Sequence, residues 1–390
     1  MENKYLLEKS FFEEIRKITM DKKAKKLIVV EHAVPTVISF IKSLTIDYDI
    51  VFIKKPNSIH EPSKLEISKY TTYSSTTKNQ LTDPEYLIWF IEKNVGEDTF
   101  AIIDMGGYFS INLDILNNLS KKGQLFGIIE DTENGFQKYE NGLLDLENKN
   151  REIFIPLMSV DRSSLKDGED FLVSNEIVIK SETFLSDHGT TILGKKILVI
   201  GFGKIGRNIA NALRNRGGIV FVVDNNPTRQ ILAIAQGYPE ICIEKAINCV
   251  ELVYIANGER SLDVKRLIEC NDKLLYLFSV TSVDDTYKNC DLLKQKEFNE
   301  ESMLTHVKIK SGINGELIFA NNGNAMNFTI TRNTTVSSFV QLTQAEIMYI
   351  LGFIYIVKPE YNIKSLNNPE KHMIAHIWLK HWQQLNSREK

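Results

Sequence analysis

Short apolar runs alternate with amphipathic segments along the first half of the chain. Four of the runs are typical of buried strands: residues 27–31, 50–53, 100–104 and 125–129. Helical patterns with one apolar face lie between them. Because strands that alternate with helices form a parallel sheet covered on both faces, we predict a doubly wound α/β domain here.

The elements between and after these strands are less regular. Pro35–Leu44 is predicted to be a helix, and Asp83 is predicted to cap a second helix that ends near Asn94. Residues 59–82 are polar and predict no clear element. Three further segments are a predicted short strand at 152–156, a loop at 161–168 and a helix at about 170–186.

A glycine-rich turn follows the apolar run 197–200. Gly201, Gly203 and Gly206 have the spacing G-x-G-x-x-G, and an amphipathic helical pattern begins at the turn. In this arrangement the first glycine allows a tight turn, the second lets the backbone approach a pyrophosphate, and the third lets the helix pack on the strand. The helix N-terminus also attracts phosphate groups.

An acid ends the next predicted strand. Ile219–Val223 is apolar and leads directly to Asp224, whose carboxylate can accept hydrogen bonds from an adenosine ribose and favours NAD over NADP. We therefore predict a Rossmann NAD-binding domain, with a purely structural α/β turn as the alternative. Later strands of this domain are predicted at 252–255, 274–278 and 317–319.

The predicted fold class is α/β with two domains, each a doubly wound parallel sheet. The boundaries place a substrate domain at 1–185 and the NAD-binding domain at 190–344. Helical patterns at 345–390 are predicted to return to the first domain, the last of them capped by Asn368.

Several side chains of the first domain follow predicted strand ends, where ligands bind in parallel sheets. His32 is predicted to lie in the loop after the first strand. Asp104 ends the strand at 100–104 and Met105 follows it, and Glu130 and Asp131 follow the strand at 125–129.

The bulk composition narrows the possible partners. The formal net charge is −3, which gives no electrostatic reason to expect nucleic acid or an anionic membrane surface. The N-terminal residues lack the pattern of a signal peptide, and no apolar stretch is long enough for a membrane span. The four cysteines have no C-x-x-C pair, so we expect free buried thiols in a reducing, cytoplasmic protein. The histidines show no metal-ligand spacing, and no metal is expected.

Five segments share the pattern of one known family. They read GKKILVIGFGKIGR (194–207), PTRQILAIAQGY (227–238), GIIEDTENGFQKY (127–139), IDMGG (103–107) and GNAM (323–326). In this order they resemble motifs of S-adenosylhomocysteine hydrolase, and the likeness is collinear over most of the chain. The resemblance implies chemistry in which NAD oxidises a ribose 3′-hydroxyl, the 5′ substituent leaves by elimination, water adds, and the ketone is reduced again.

The resemblance also implies roles for four residues of the first domain. Lys166 matches the lysine that assists 3′-oxidation, and Asp170 matches the acid that binds the ribose hydroxyls. Asp131 matches a ribose-binding glutamate, and His32 matches a histidine near the 5′ leaving group. Cofactor contacts are expected at Gly201, Gly203, Lys204, Ile205, Gly206, Asp224, Thr132 and Asn257.

Several positions depart from the family pattern. Met105 stands where the family has an aspartate at the C4′/C5′ centre, and Val34 replaces a substrate-binding threonine. Phe171 replaces an asparagine, and Ser282 stands in place of a histidine. Because neither a thioether nor a serine hydroxyl can replace these acid–base groups, we predict weak or absent S-adenosylhomocysteine hydrolysis and a better preserved redox step.

Each candidate has a simpler interpretation. Lys166 could be a solvated lysine or could pair with Asp170 across one helical turn. His32 could be a buried polar residue bonded to the backbone, and Asp131 could be an ordinary loop acid.

Three functional hypotheses follow. The first is an NAD-dependent enzyme that oxidises a nucleoside or a related small molecule and works as a homo-oligomer. The second is a non-catalytic protein that binds NAD or a nucleotide. The third is a hydroxy-acid dehydrogenase, for which Arg260 is suitably placed but no histidine follows in a strand-end loop.

Overall fold

The computed structural model describes residues 2–19, 24–258, 261–281, 283–294, 306–327 and 337–387. The chain forms two compact units. The first contains Met1–Lys166 and Ser337–Lys390, and the second contains Asp167–Val336. The helix that begins at Asp167 therefore belongs to the second unit, whereas the predicted substrate domain extends to residue 185. The bounds of the substrate domain and of the NAD-binding domain stay a prediction.

The elements follow one another in a mostly alternating order. The strands are β1 (Lys26–Ala33), β2 (Asp49–Ile59), β3 (Thr72–Ser74), β4 (Phe100–Asp104), β5 (Leu125–Glu130), β6 (Leu157–Ser159), β7 (Lys196–Ile200), β8 (Ile219–Val223), β9 (Leu252–Ile255), β10 (Leu262–Asp263), β11 (Leu274–Ser279), β12 (Tyr287–Lys288), β13 (His306–Ser311) and β14 (Gly315–Ala320). The helices are α1 (Glu2–Ile18), α2 (Pro35–Leu44), α3 (Glu61–Ser68), α4 (Lys78–Leu81), α5 (Pro84–Asn94), α6 (Leu113–Lys121), α7 (Glu133–Asn148), α8 (Asp167–Asp187), α9 (Lys204–Asn215), α10 (Pro227–Ala235), α11 (Ile243–Cys249), α12 (Val264–Cys270), α13 (Val283–Thr286), α14 (Asp291–Lys294), α15 (Ser337–Leu351) and α16 (Asn368–Ser387).

The sheet of the first unit is parallel throughout, in the order β3-β2-β1-β4-β5-β6. One apolar cluster packs on one face with α1, α2, α15 and α16, and another packs on the opposite face with α5, α6 and α7. Helices after residue 336 thus supply part of the first unit's core. The doubly wound parallel sheet predicted for this region is confirmed.

The strand predicted at 152–156 is wrong, because β6 begins only at Leu157. The backbone N–H groups of Phe154 and Ile155 donate to the side-chain oxygen of Asn117, at 2.7 and 3.2 Å. The carbonyl of Phe154 accepts from the hydroxyl of Ser120 at 2.9 Å. Side chains of α6 therefore satisfy the backbone of this segment, which is why it does not join the sheet.

The cap of the last helix also differs from the prediction. Asn367, rather than Asn368, accepts from the backbone N–H of Glu370 at 3.1 Å, and the Glu370 carboxylate accepts from the backbone N–H of Asn367 at 3.1 Å. This reciprocal pair is a capping box. Two adjacent asparagines offer the same chemistry, so sequence alone did not choose between them.

The sheet of the second unit has the order β13-β14-β11-β9-β7-β8. Five of its strands are parallel, and β13 pairs antiparallel with β14 at one edge. The sequence analysis did not predict β13. Gly312, with φ of +52°, lies in the short turn between these two strands and makes the hairpin possible.

Two expectations from composition, on the cysteine thiols and on membrane spans, can be compared with the structure. Cys242 and Cys249 are exposed, so the prediction of buried thiols is wrong for these two, while Cys290 is buried. Within the described part of the chain, every helix is too short or too polar to cross a lipid bilayer.

A buried aspartate ends β4 and is held by a tyrosine of α7. One carboxylate oxygen of Asp104 accepts from the hydroxyl of Tyr139 at 2.6 Å and from the backbone N–H of Phe109 at 3.2 Å. Both side chains are fully buried. Burial raises the pKa of Asp104, while the hydrogen bond from Tyr139 opposes that rise.

Tyr139→Phe is expected to lower the free energy of unfolding by about 1–3 kcal/mol, because a buried carboxyl loses a hydrogen-bond donor. Urea unfolding monitored by circular dichroism measures the change. Tyr70→Phe is the control, since Tyr70 is exposed and its hydroxyl lies 3.4 Å from Glu66. Equal, small effects of both substitutions would show that the Tyr139 hydroxyl does not stabilise the first unit.

Candidate functional site

Two glycines of the turn after β7 are required by the protein's own packing. Gly201 has φ of +98°, and a Cβ at this residue would lie 2.8 Å from the carbonyl oxygen of Ala256. A Cβ on Gly206 would lie 1.9 Å from the carbonyl oxygen of Gly201. Neither site tolerates a side chain, so the turn can reach α9 only with glycine at these positions.

Gly203 is different, because none of the described residues crowds it. Among these residues, a Cβ here would meet only the guanidinium of Arg229, at 3.7 Å. Gly203 immediately precedes α9 and occupies its N-cap position. The open space next to a helix N-terminus is the place where a pyrophosphate approaches the backbone in dinucleotide-binding turns.

Asp224 connects the end of β8 to the glycine turn. One carboxylate oxygen accepts from the backbone N–H of Phe202 at 2.6 Å, and the other accepts from the backbone N–H of Asn226 at 2.8 Å. Each oxygen can accept a further hydrogen bond. Asp224 therefore shapes the turn and can still bind ribose hydroxyls.

Asn257 follows β9 beside the same turn. Its Cβ lies 3.2 Å from the position that a Cβ would take on Gly201, and its side-chain oxygen accepts from the hydroxyl of Ser261 at 3.0 Å. The structure therefore places Asn257 next to the glycine turn. Its contact with the cofactor stays a prediction.

Lys204, the first residue of α9, contacts acids of α8. Its ammonium lies 2.9 Å from a carboxylate oxygen of Asp167 and 3.8 Å from one of Asp170. The carbonyl oxygen of Ile205 accepts from the hydroxyl of Ser174 at 3.3 Å. Asp170, predicted to bind substrate, thus lies near Lys204, which is predicted to bind the cofactor, and both belong to the second unit.

Lys166 lies in a buried acidic environment in the first unit. Its side chain donates to the backbone oxygen of Asp131 and to a carboxylate oxygen of Asp131, the latter at 2.8 Å. A carboxylate oxygen of Asp161 is 3.8 Å from the same ammonium. Lys166 is only 7% exposed, so it is not a solvated lysine.

Asp161, beside Lys166, forms a hydrogen-bonded pair with Glu133. Burial and the hydrogen bond with Glu133 raise the pKa of Asp161 to about 7, against the lowering effect of Lys166. Burial also acts to raise the pKa of Glu133, but hydrogen bonds from Arg162, Asp161 and Gln137 outweigh it and lower that pKa to about 2. Asp161 is therefore the acid of this pair that exchanges a proton near neutral pH.

Glu346 of α15 adds a further acid that the sequence analysis missed. It is fully buried, and burial raises its pKa to about 7, while contact with Ser163 and the positive charge of Lys371 oppose the rise. Asp131 and Lys166 also affect its titration. The sequence did offer one indication of a special role, because Glu346 is the one charged residue in α15.

His32 lies within β1, not in the loop after it, because the strand continues to Ala33. The strand is longer than predicted since Ala33 still pairs with Ile59 of β2. Burial, together with the positive charge of Lys55, lowers the pKa of His32 well below its usual value. The imidazole is therefore neutral at physiological pH.

Thr132 caps α7. Its hydroxyl accepts from the backbone N–H of Gly135 at 3.0 Å and donates to Glu130 at 2.6 Å. The structure thus gives Thr132 a local stabilising role, and its predicted contact with the cofactor stays a prediction.

The positions that depart from the family pattern have different surroundings. Met105 is buried at the end of β4, whereas Phe171 on α8 is 56% exposed. Val34 occupies the N-cap position of α2 and makes no side-chain capping hydrogen bond, which a threonine could make. Ser282 and Arg260 lie outside the described residues.

The turn and the sheet define the second unit as an NAD-binding domain of the Rossmann class. Residues 186–332 match the family model described as "S-adenosyl-L-homocysteine hydrolase, NAD binding domain". The match confirms the predicted cofactor, NAD, and supports the predicted family at the level of this domain.

Solved structures with similar folds come from several proteins. Dipicolinate synthase, A chain, from Bacillus subtilis is 13% identical, with 85% of this chain and 98% of that chain covered and a TM-score of 0.41. Phosphoglycerate oxidoreductase from Vibrio cholerae O395 is 11% identical, with 83% and 98% covered and a TM-score of 0.41. A D-isomer specific 2-hydroxyacid dehydrogenase from Lactobacillus delbrueckii ssp. bulgaricus, in an NAD-complexed form, is 14% identical, with 69% and 75% covered and a TM-score of 0.33.

Alanine should weaken NAD binding at Gly203 and should lower the stability of the fold at Gly206. Gly203→Ala is expected to weaken NAD binding at least about tenfold with an unchanged melting temperature, because its Cβ would occupy only the space kept for a ligand. Gly206→Ala is expected to lower the free energy of unfolding by about 2 kcal/mol or more, because its Cβ collides with backbone. Calorimetry with NAD and thermal unfolding distinguish the two. Unchanged NAD affinity in Gly203→Ala would contradict the assigned site.

Glu346→Gln should remove a pH-dependent loss of stability. Below about pH 4.5 the carboxyl is protonated in both the folded and the unfolded chain, so the substitution changes little. Between pH 4.5 and 7 only the unfolded chain ionises, so the folded state loses stability as the pH rises. At pH 8 the glutamine variant should be more stable by roughly 3 kcal/mol.

Urea unfolding across this pH range measures the effect of Glu346→Gln. Glu92→Gln on α5 is the control, since Glu92 is exposed. A difference from wild type that is the same at pH 4 and pH 8 would mean that ionisation of Glu346 is not coupled to folding.

Proposed function

We propose that the protein is an NAD-dependent oxidoreductase that oxidises a hydroxyl group of a small polyhydroxylated substrate. The specific candidate is the ribose 3′-hydroxyl of a nucleoside-like molecule. The observation that carries the proposal is the buried group of Lys166 with Asp131, Asp161 and Glu346, in the same chain as an NAD-binding domain.

The acids around Lys166 favour hydroxyl groups as ligands. Ionised carboxylates accept hydrogen bonds and cannot donate them, so they bind sugar hydroxyls well. The ionised Asp131 carboxylate therefore suits the hydroxyl groups of a nucleoside or sugar.

The residues around Lys166 can also accept the proton that alcohol oxidation releases. NAD, when bound, supplies the hydride acceptor. In the proposal Asp131 accepts a hydrogen bond from the substrate hydroxyl. Lys166 contacts both Asp131 and Asp161. The carboxyl groups of Asp161 and Glu346 have pKa values of about 7, so they can exchange protons near neutral pH. We assign the uptake of this proton to an ionised carboxylate of the group, and Lys166 can pass the proton on only by releasing one of its own to a neighbouring acid.

Asp170 and His32 have smaller roles in the proposal. Asp170, buried near Lys204, would bind a ribose hydroxyl, and the neutral imidazole of His32 would contact the substrate. Met105 has no exchangeable proton, so the proposed reaction ends at oxidation and does not include elimination and hydrolysis.

Lys166→Ala is expected to abolish NADH formation while NAD binding remains. The assay follows NADH absorbance in the purified full-length protein incubated with nucleosides, other polyols and hydroxy acids. Asp131→Asn should lower the rate about 10²-fold or more, in the range typical for acid–base groups. Lys149→Ala is the control, because Lys149 is an exposed lysine of the same unit paired with Asp145.

Three outcomes separate the hypotheses. NADH formed from a nucleoside or polyol and lost in Lys166→Ala supports the proposal. NADH formed only from hydroxy acids would favour a hydroxy-acid dehydrogenase. Bound NAD without NADH from any hydroxyl compound would favour a non-catalytic binding protein.

A further inference from the structure

Three lysines surround the loop that follows β4. The ammonium groups of Lys78 and Lys138 donate to the carbonyl oxygen of Gly106, at 3.1 and 3.3 Å. The ammonium of Lys55 lies 3.4 Å from the position that a Cβ would take on Gly106. These residues come from α4, α7 and β2, so the tertiary fold brings them together. We refer to Lys55, Lys78 and Lys138 as the lysine cluster.

Glu130 fixes the loop that the cluster surrounds. Its carboxylate accepts from the backbone N–H groups of Gly106 and Gly107, at 2.9 and 3.1 Å. It also accepts from the backbone N–H and the hydroxyl of Thr132, at 2.8 and 2.6 Å. Four donors thus occupy this carboxylate, which holds the loop in place.

The acids beside the lysine cluster are more buried than the lysines. Glu31, Asp104 and Glu130 are buried, whereas the three lysines are only partly buried. Burial lowers the pKa of Lys55, whereas the charges of Glu130 and Glu31 act to raise it and the charge of Lys78 opposes them. The lysine side chains are therefore the more accessible charged groups of this region.

The lysine cluster and Lys166 lie at the same edge of the sheet. Lys55 is near the carboxyl end of β2, the Gly106 loop follows β4, and Asp131 follows β5. Because β4 is a direct neighbour of β5, and adjacent strands are about 4.8 Å apart, the loop and Asp131 are separated by roughly 5–10 Å.

We propose that the lysine cluster binds a phosphate group of the substrate, whose hydroxyl groups are bound by the acids around Lys166. Several ammonium groups suit the oxygens of a phosphate monoester. The substrate class is then a phosphorylated nucleoside or sugar. The part that concerns the substrate rests on the proposed oxidoreductase function, whereas binding of phosphate can be tested without turnover.

The first test uses inorganic phosphate and the full-length protein saturated with NAD, so that the glycine turn is occupied. Calorimetry should detect phosphate binding to wild type, and Lys78→Gln and Lys55→Gln should each weaken it about tenfold. Lys78→Arg should restore most of the affinity because it keeps the charge. Lys122→Gln is the control, since Lys122 is exposed just before β5, at the opposite edge of the sheet.

The second test compares AMP with adenosine under the same conditions. AMP should bind at least about tenfold more tightly, and Lys78→Gln should remove the difference without changing the affinity for adenosine. Melting temperatures of all variants must match wild type within error. Lys55→Gln provides an independent variant if Lys78→Gln disturbs the loop.

The proposal would be overturned if phosphate failed to bind wild type, or if it bound Lys78→Gln and Lys55→Gln as tightly as wild type. Equal competition by malonate would also overturn it, because the site would then not be specific for phosphate. Phosphate binding that depends on the lysine cluster, in a protein that forms no NADH, would support the phosphate site and reject the oxidoreductase function.

Discussion

The proposed substrate region depends on the hydrogen bonds that the carboxylate of Glu130 accepts. It lies at the end of β5 and accepts hydrogen bonds from the loop after β4 and from Thr132, which caps α7. A Cβ on Gly135 would lie 2.1 Å from this carboxylate, so the first turn of α7 can approach it only with glycine there. One buried acid thus positions the Gly106 loop and the segment that carries Asp131.

This arrangement separates the acids of the strand ends into two kinds. Glu130 and Asp104 accept hydrogen bonds from backbone N–H groups and from the hydroxyls of Thr132 and Tyr139, so they stabilise the fold. Asp131 and Asp161 instead contact the ammonium of Lys166, and a raised pKa of about 7 allows Asp161 to exchange protons near neutral pH. Burial is the main cause of that raised pKa, and neighbouring charges adjust it.

The glycine turn shows a similar division within one motif. Gly201 and Gly206 are fixed by contacts inside the protein, whereas Arg229 alone borders the space at Gly203 within the part of the chain that the structure describes. The spacing of the three glycines does not distinguish these roles. Only the positions of Ala256, Gly201 and Arg229 in space show which glycine leaves room for a ligand.

Much of the fold could be predicted from local patterns. The bounds of α2 and α5 match their prediction because proline begins each helix and an apolar face continues to the end. The strand at 152–156 could not be predicted correctly, because side chains of α6 bind its backbone. The edge strand β13 was missed, since pairing at a sheet edge depends on the neighbouring strand β14.

The sequence by itself determined the alternating α/β order, the glycine turn with Asp224 and the cofactor NAD, because these depend on periodicity and on a motif of fixed spacing. It also placed Lys166 and Asp131 in one site by resemblance. Only the tertiary structure decided that Glu346 lies near Lys166 and that the three lysines meet at Gly106. These residues are far apart in the chain, and their charges interact only because packing brings them together and excludes water.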